Sequence, residues 1–320
     1  PIIIILLFSI YITYRIIYDN NMMSNSIHER FYKKIIYMVE GKDYIKFFNN
    51  ITTNKIEFRS DNEMIRTLWL NNKGRIVHDL SIGWINNSDS NALLIDHFSS
   101  ESLIDNILKY KMSLDVKIIK TDLQAKISDP SSKRIGGDTY FMKSSISLVD
   151  KYLAIGTNKD LELINNFDPM DFILKGISYN KKIFHNKTPM ELNLWCAIDF
   201  KKGCYLGQEI VARVKYKGQV KRNFSYVKID KGVDITNTPI YKGENEIGSI
   251  IYTDFIDRNA SYCSAFINHN ENYNQAGLKI QYGEKEYNCE ILENLFTVSY
   301  THLRAHETVL DLVCRLLLEK

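Results

Sequence analysis

Lys202-Gly203-Cys204-Tyr205-Leu206-Gly207-Gln208-Glu209, continuing through Ile210-Val211-Ala212 to Arg213, sets one thiol between two glycines and follows it with an amide, a carboxylate and a guanidinium. The rest of the 320 residues shows no comparable density of chemically useful groups. Gly203 and Gly207 allow sharp turns on both sides of Cys204 and close approach of a ligand. Gly207-Gln208 predicts a helix start, because Ile210, Val211 and Val214 share one face while Glu209 and Arg213 are spaced i, i+4. The N–H groups at that end, with Lys201 and Lys202, favour a thiolate if Cys204 is turned toward them. The plainer reading of Cys204 is a small buried hydrophobe beside a glycine turn. Glu209 can accept from an amino-pyrimidine edge while Gln208 both donates and accepts, or Glu209 is only a surface partner of Arg213.

Upstream of this stretch, Thr188-Pro189-Met190-Glu191 has capping-box spacing with proline at the first helical position, and predicts a helix bearing Leu192, Leu194 and Trp195. From about Ile35 onward the pattern is an alternation of short strands and helices: a strand Ile35 to Val39, then a helix capped by Asp43 and carrying Ile45, Phe47 and Phe48. A hairpin joins Ile65–Leu70 to Arg75–Ile85 through Asn71-Asn72-Lys73-Gly74. A strand at Ala92–Ile95, a helix over Leu103, Ile104, Ile107 and Leu108, and a strand at Val116–Ile119 follow. Ser128 to Gly137 reads as loop, Ser145 to Gly156 as strand, and Asn158 to Phe167 and Asp168 to Lys175 as helices.

Downstream the period changes. Val220–Ile229, Ile240-Tyr241, Gly248–Phe255, Tyr262–Ile267, Lys279–Tyr282 and Glu286–Leu292 are short β runs separated by turns, which predicts a small barrel or sandwich. Just before it, Lys215, Lys217, Lys221 and Arg222 form a basic run. Such a run is a solvated face, or a receiver for the carboxylates of a polyanionic tail or for RNA phosphates.

Composition is that of a globular protein: 45% hydrophobic, 25% charged and a formal net charge of +3, which carries no global nucleic-acid signature. Five cysteines without a C-x-x-C pair argue against a structural zinc site or a disulfide framework and for reduced thiols in the cytoplasm; no metal ligands are assigned. The apolar run Ile2 to Ile12 is too short to span a bilayer, so no stable membrane association is expected. Residues 1–22 read as a non-native upstream extension with Met22 or Met23 as the start, a membrane anchor being the competing reading. Residues 298–320 read as an adapter-derived artefact, so His302, His306 and Glu307 receive no functional weight. Between them lie a body, 23–217, and a β domain, 218–297.

The motif Lys202-Gly203-Cys204-Tyr205-x-Gly207-Gln208-Glu209 with Arg213 resembles the signature of the YgfZ family. These are folate-binding proteins that support iron–sulfur enzymes, including tRNA methylthiolation in bacteria. Thr188-Pro189-x-Glu191-x-Asn193-Leu194, Asn72-Lys73-Gly74-Arg75, Phe47-Phe48 to Thr53-Asn54, Ile247-Gly248-Ser249 and Ala265-Phe266-Ile267 fall in the family's order. The resemblance implies an α+β fold like that of the glycine-cleavage aminomethyltransferase, with a folate-binding α/β body around a cavity and a C-terminal β-barrel. It implies tetrahydrofolate or a derivative as cofactor and Cys204 as the functional thiol. Lys202, Gly203, Tyr205, Gly207, Gln208, Glu209, Arg213, Glu191 and Asp79 are the implied cofactor-binding residues, with Lys202 maintaining the thiolate and Arg213 holding Glu209. Implied partners are iron–sulfur client enzymes or assembly proteins and a tRNA contact.

Three departures stand out. Leu206 replaces the family's frequent Pro or Thr, Lys55 replaces an acidic residue, and His78-Asp79 stands where aminomethyltransferases carry two aspartates. The last weakens the alternative reading as a folate-dependent aminomethyl transferase. His78 reads as a strand side chain, not a catalytic base. A second alternative is an RNA- or partner-binding module without small-molecule chemistry.

Overall fold

The computed structural model describes residues 34–59, 63–84, 91–128, 140–144, 152–157, 161, 181–218, 220–256, 259–268 and 277–292. Both terminal segments, Cys314, and the helices expected over 158–167 and 168–175 lie outside these residues, apart from Leu161.

The body is built on eight strands: β1 (Ile35–Glu40), β2 (Glu63–Leu70), β3 (Ile76–Trp84), β4 (Asn91–Asp96), β5 (Lys117–Lys120), β6 (Gln124–Ser128), β7 (Tyr140–Ser144) and β8 (Tyr152–Gly156). They form one sheet in the order β5-β1-β4-β3-β2-β7-β8-β6. Every pairing is antiparallel except β2 with β7. The described helices are few: α1 (Tyr44–Ile51), α2 (Leu103–Ile107), α3 (Lys181–Phe184) and α4 (Gln208–Lys217). Among the described residues the body is thus a mixed sheet with few helices, within the α+β class expected. β6 and β7, absent from the sequence reading, complete it.

Alternation along the strands separates two faces. On one, Ile65, Trp69, Leu80, Ile82, Trp84 and Leu94 pack against Phe47, Phe48 and Ile51 of α1 and Leu103 and Ile107 of α2. Asp43 does not cap α1 with its side chain. Its Oδ2 accepts instead from the Asp115 N–H at 2.9 Å, tying the start of α1 to the approach of β5. On the other face Ile36, Met64, Leu93, Ile95, Met142 and Ile155 form a second apolar cluster.

The second half is a closed barrel of six strands: β9 (Arg222–Ile229), β10 (Thr238–Lys242), β11 (Asn245–Ile256), β12 (Ser261–Asn268), β13 (Leu278–Tyr282) and β14 (Lys285–Leu292), in the order β10-β11-β12-β9-β14-β13. All six are the runs read from the sequence. Val227, Ile229, Cys263, Ala265, Ile280 and Cys289 fill the interior. Burial pushes both thiols up to about 12, which leaves them inert core groups. The intervening positions Phe224, Tyr226 and Phe266 point outward into a third cluster with Leu68, Leu70 and Ile76 of the body, Met190 to Ala197, and Val211 of α4. Body and barrel therefore share a hydrophobic core, and the motif lies within it. Among the described residues no helix is long and apolar enough to cross a membrane.

Candidate functional site

The motif is held by two glycines from different elements. Gly207 has φ +82° and is the N-cap residue of α4. A Cβ there would stand 2.6 Å from the Asn71 carbonyl oxygen and 3.1 Å from Gly74 Cα. Gly74, at φ +66°, faces Ile210 so closely that a Cβ would lie 2.9 Å from the Ile210 Cβ. The hairpin tip and the first turn of α4 thus meet backbone to backbone, which ties Asn72-Lys73-Gly74 to the motif. The Tyr205 N–H donates to Gln208 Oε1 at 3.3 Å, and Tyr205 is buried beneath.

A second fastening runs along the segment before the motif. Thr53 Oγ1 donates to the Ala197 carbonyl at 2.6 Å and accepts from the Leu68 N–H at 2.9 Å, while the Thr53 carbonyl accepts from the Asp199 N–H. Asn54 Nδ2 donates to the carbonyls of Arg66 and Cys196. Lys202 Nζ donates to the carbonyls of Thr52 and Asn54 at 2.7 and 2.9 Å and lies 5.3 Å from the Tyr205 ring centroid. Burial pushes its ammonium down to about 8, with Asp199 opposing the shift. Lys202 is thus spent on the main chain after α1. Cys204 and Gly203 are exposed, nothing would meet a Cβ at Gly203 within 4 Å, and the Cys204 thiol makes no hydrogen bond among the described residues. The expected support of a thiolate by Lys202 is replaced by this anchoring role.

Glu209 and Arg213 are both exposed on α4 and form no ion pair with each other among the described residues, so the expected i, i+4 bridge is not made. The Trp195 and Phe200 rings lie 6.1 Å apart, tilted by 34°, and Lys215 Nζ sits 3.8 Å over the Phe200 ring.

Glu191 has a different part from the one expected. Its Oε2 accepts from the Thr188 N–H and Oγ1, both at 2.9 Å, and its Oε1 accepts from Arg222 Nε at 3.1 Å. Its carbonyl accepts from the Phe224 N–H at 2.7 Å. The capping box closes but no helix grows from it: Asn193 turns to φ +56° and a single 3₁₀ turn, Trp195–Ala197, follows. The carboxylate is a clamp between body and barrel. Burial alone would raise its pKa, but the bonds from Thr188 and Arg222 outweigh that and hold it below the ordinary Glu value. A depressed folded pKa supplies stability that is complete above the unfolded pKa and lost as pH falls through the folded one. Glu191→Gln is expected to cost about 1.5 kcal/mol at pH 7. Urea midpoints should differ at neutral pH and converge in acid.

Asp79 is buried on the sheet face opposite α1. Its two oxygens accept from Arg66 Nε and Nη2 at 2.9 and 2.5 Å in a bidentate pair with both side chains almost fully buried. The carboxylate is therefore engaged with the protein, not open to a pterin. Around it lie Ser81, whose Oγ is 2.7 Å from His97 Nε2, and Lys34, whose Nζ donates to the His97 carbonyl at 2.7 Å. Burial pushes Lys34 down to about 8, partly offset by Asp79 and Asp96, and holds the His97 ring well below its ordinary value. His78 lies on the other face, stacked on Trp69 at 5.3 Å with Nδ1 3.4 Å from Asp96.

Sequence reasoning passed over Arg66 and His97, and gave Thr53 and Cys196 no part in the site. Arg66 had a signal: one guanidinium in the apolar run Met64–Leu70, opposite a strand holding Asp79. Cys196 is accessible to solvent although protein surrounds it closely. That crowding pushes its thiol up, with Arg66 opposing and Asp79 reinforcing the shift. Among the described residues no three His, Cys, Asp or Glu side chains gather as a metal site.

No protein-family profile matches the chain. Among curated proteins it is 26% identical to the mitochondrial iron–sulfur cluster assembly factor IBA57 homologue of Dictyostelium discoideum over 249 aligned residues, covering 61% of this chain and 61% of that protein. It is 39% identical over 74 residues to the tRNA-modifying protein YgfZ of Buchnera aphidicola, covering 22% of this chain and 20% of that protein. The chain is thus similar to proteins of the YgfZ/IBA57 group along much of its length. It spans less than two thirds of the length of either relative. Its fold is that of the glycine cleavage system aminomethyltransferase T from Bartonella henselae, with a TM-score of 0.65 at 12% identity over 82% of this chain and 84% of that one. In this chain Cys204 is exposed on a loop pinned by Gly207, Gly74, Thr53 and Lys202.

Proposed function

We propose that this chain is a member of the YgfZ/IBA57 family and a reduced-folate-binding accessory factor for iron–sulfur proteins, acting through the Cys204 thiol. The observation that carries the reading is the contrast at the motif: its neighbours are locked to the body by main-chain and glycine contacts, yet the thiol itself is exposed and, among the described residues, without a hydrogen-bond partner. A structural cysteine would be buried, as Cys263 and Cys289 are.

A reduced folate is a flat pterin joined to a carboxylate-bearing tail, and the side chains near the thiol suit it. Trp195 and the Phe200 face away from Lys215 offer aromatic surface, Lys201 and Lys215 offer cations, and Glu209, exposed and unpaired among the described residues, can accept from an amino-pyrimidine edge. Asp79 and Glu191 are omitted from this set because Arg66, Thr188 and Arg222 already occupy their oxygens. The same engagement of Asp79 counts against an aminomethyl transferase, which would need that carboxylate at the reacting carbon. The chemistry a folate supplies when bound is the carriage of a one-carbon unit. This chain's part is to hold the thiol beside it and to present that thiol to a partner's cluster ligands, since one cysteine alone cannot retain a cluster. The named relatives are mitochondrial and bacterial, so the cytoplasmic placement expected from unpaired cysteines belongs to this proposal as well.

The test is complementation of a bacterial strain defective in tRNA methylthiolation. Cys204→Ala should lose complementation while its urea midpoint stays within about 0.5 kcal/mol of wild type, as expected at an exposed site. Full complementation by Cys204→Ala would remove the thiol role.

A further inference from the structure

Between Phe200 and Arg222 the sequence carries seven Lys or Arg residues against the single Glu209, an excess larger than the +3 of the whole chain. The fold enlarges this excess. Seating Gly74 on Ile210 brings the hairpin tip, with Arg75, onto the first turn of α4. The Ile76 N–H donates to the Lys187 carbonyl at 2.8 Å, and Arg75 Nη1 donates to the Asn186 carbonyl at 2.7 Å, which sets Lys187 beside Arg75. Lys187 Nζ and Arg222 Cζ then lie 5.1 and 4.8 Å from the centroid of the same Phe266 ring.

Three cations thus converge where body meets barrel, and Glu191 is the carboxylate that offsets them. Burial first, then Arg222 and Arg75, lower the Lys187 pKa, the response of a crowded cation that an added anion would relieve. On the adjoining surface α4 exposes Arg213 and Tyr216, the latter 68% accessible, and Lys221 is exposed just before β9. Lys215 Nζ lies 5.5 Å from the Tyr216 ring centroid. An acidic peptide would satisfy the cations and leave the tyrosine unused. A nucleic-acid duplex would also leave it unused, because its base faces are already stacked. A cationic track beside an exposed ring suits a strand that offers both phosphates and free base faces.

We propose that this surface binds a single-stranded nucleic-acid segment, with its phosphates along Arg75, Lys187, Arg213, Lys221 and Arg222 and a base stacked on Tyr216. None of these six residues is among those the proposed function gives to the folate or the thiol, so the two readings are tested by different variants and fail independently.

The experiment is fluorescence anisotropy of the full chain with a labelled oligouridine of about 12 nucleotides, titrated at several salt concentrations. A duplex of equal length and polyglutamate serve as comparators. Binding should weaken steeply with salt. The double variant Arg213→Ala/Lys221→Ala should flatten the log–log salt slope by about 1.4, from roughly 0.7 per lost single-strand contact. Tyr216→Ala should weaken oligouridine binding about tenfold with the slope unchanged. All three side chains are exposed, and unchanged circular dichroism of the variants verifies folding. The proposal is overturned by salt-insensitive binding, by a Tyr216→Ala variant that binds like wild type, or by a duplex that binds as well as the single strand. Displacement of the oligouridine by polyglutamate at equal charge would also overturn it and assign the surface to anionic peptides.

Discussion

Replacing Asp79 by alanine is expected to lower the unfolding free energy by about 3–5 kcal/mol, the cost of leaving a buried guanidinium without the carboxylate that both its Nε and Nη2 address. Arg66 and Asp79 are 2% and 0% exposed, so water cannot take the place of the lost acceptor. Lys34, Ser81 and His97 are packed on the same sheet face, and the field of Asp79 favours the charged form of Lys34. Removing the carboxylate therefore disturbs two cations at once. The double variant Arg66→Met/Asp79→Leu removes charge and partner together. It should recover most of the loss, because an apolar pair of similar volume needs no desolvation of charge. Urea unfolding of wild type, the single variant and the double variant at pH 7.5 measures both effects. If Asp79→Ala were as stable as wild type, the pair would carry no structural weight and Asp79 would again be open to a ligand role.

Gly207→Val is expected to cost about 3 kcal/mol, combining a left-handed backbone that a β-branched residue resists with overpacking against the hairpin tip. The added carbon would meet the Asn71 carbonyl oxygen at 2.6 Å, a main-chain atom that cannot rotate away. The start of α4 would have to slide, carrying the Cys204 loop with it, so complementation should fall along with stability. Gly203→Ala supplies the contrast. It lies in the same motif with nothing within 4 Å of its Cβ position, and its stability should stay within about 0.5 kcal/mol of wild type. The pair of variants separates a glycine required by packing from one that leaves space around the thiol.

The barrel was legible from the sequence because its signal is local. Each of its six strands alternates over a short run and ends at a turn, as Lys242-Gly243-Glu244-Asn245 shows between β10 and β11. The hairpin of β2 and β3 was legible for the same reason. The body as a whole was not, because its order depends on long-range pairing: β2 runs parallel to β7, and β1 sits between β4 and β5. The helix expected after Thr188 failed for an instructive reason. The Thr188–Glu191 box is made as its spacing predicts, but Asn193 in a left-handed conformation ends the turn, and tertiary bonds to Arg222 and Phe224 take over the glutamate.

In the site, the motif's residue types showed where the chemistry gathers but not which side chains remain available. Lys202, Glu191 and Asp79 carry charges that a sequence presents as open. The fold gives each to another group: main-chain carbonyls, Thr188 with Arg222, and Arg66. Of the side chains assigned to the site from the sequence, Cys204, Glu209 and Arg213 keep exposed polar ends. Thr53 and Asn54, matched to the family as weak flanking positions, prove to be the fasteners that join β2 to the segment leading into the motif.

Calorimetric titration of the full chain with tetrahydrofolate, under conditions that keep thiols reduced, tests the central claim most directly. The account predicts saturable binding of one folate per chain, retained in Cys204→Ala because the thiol is presented beside the ligand and does not hold it. Absence of detectable binding in a folded wild-type protein would contradict it.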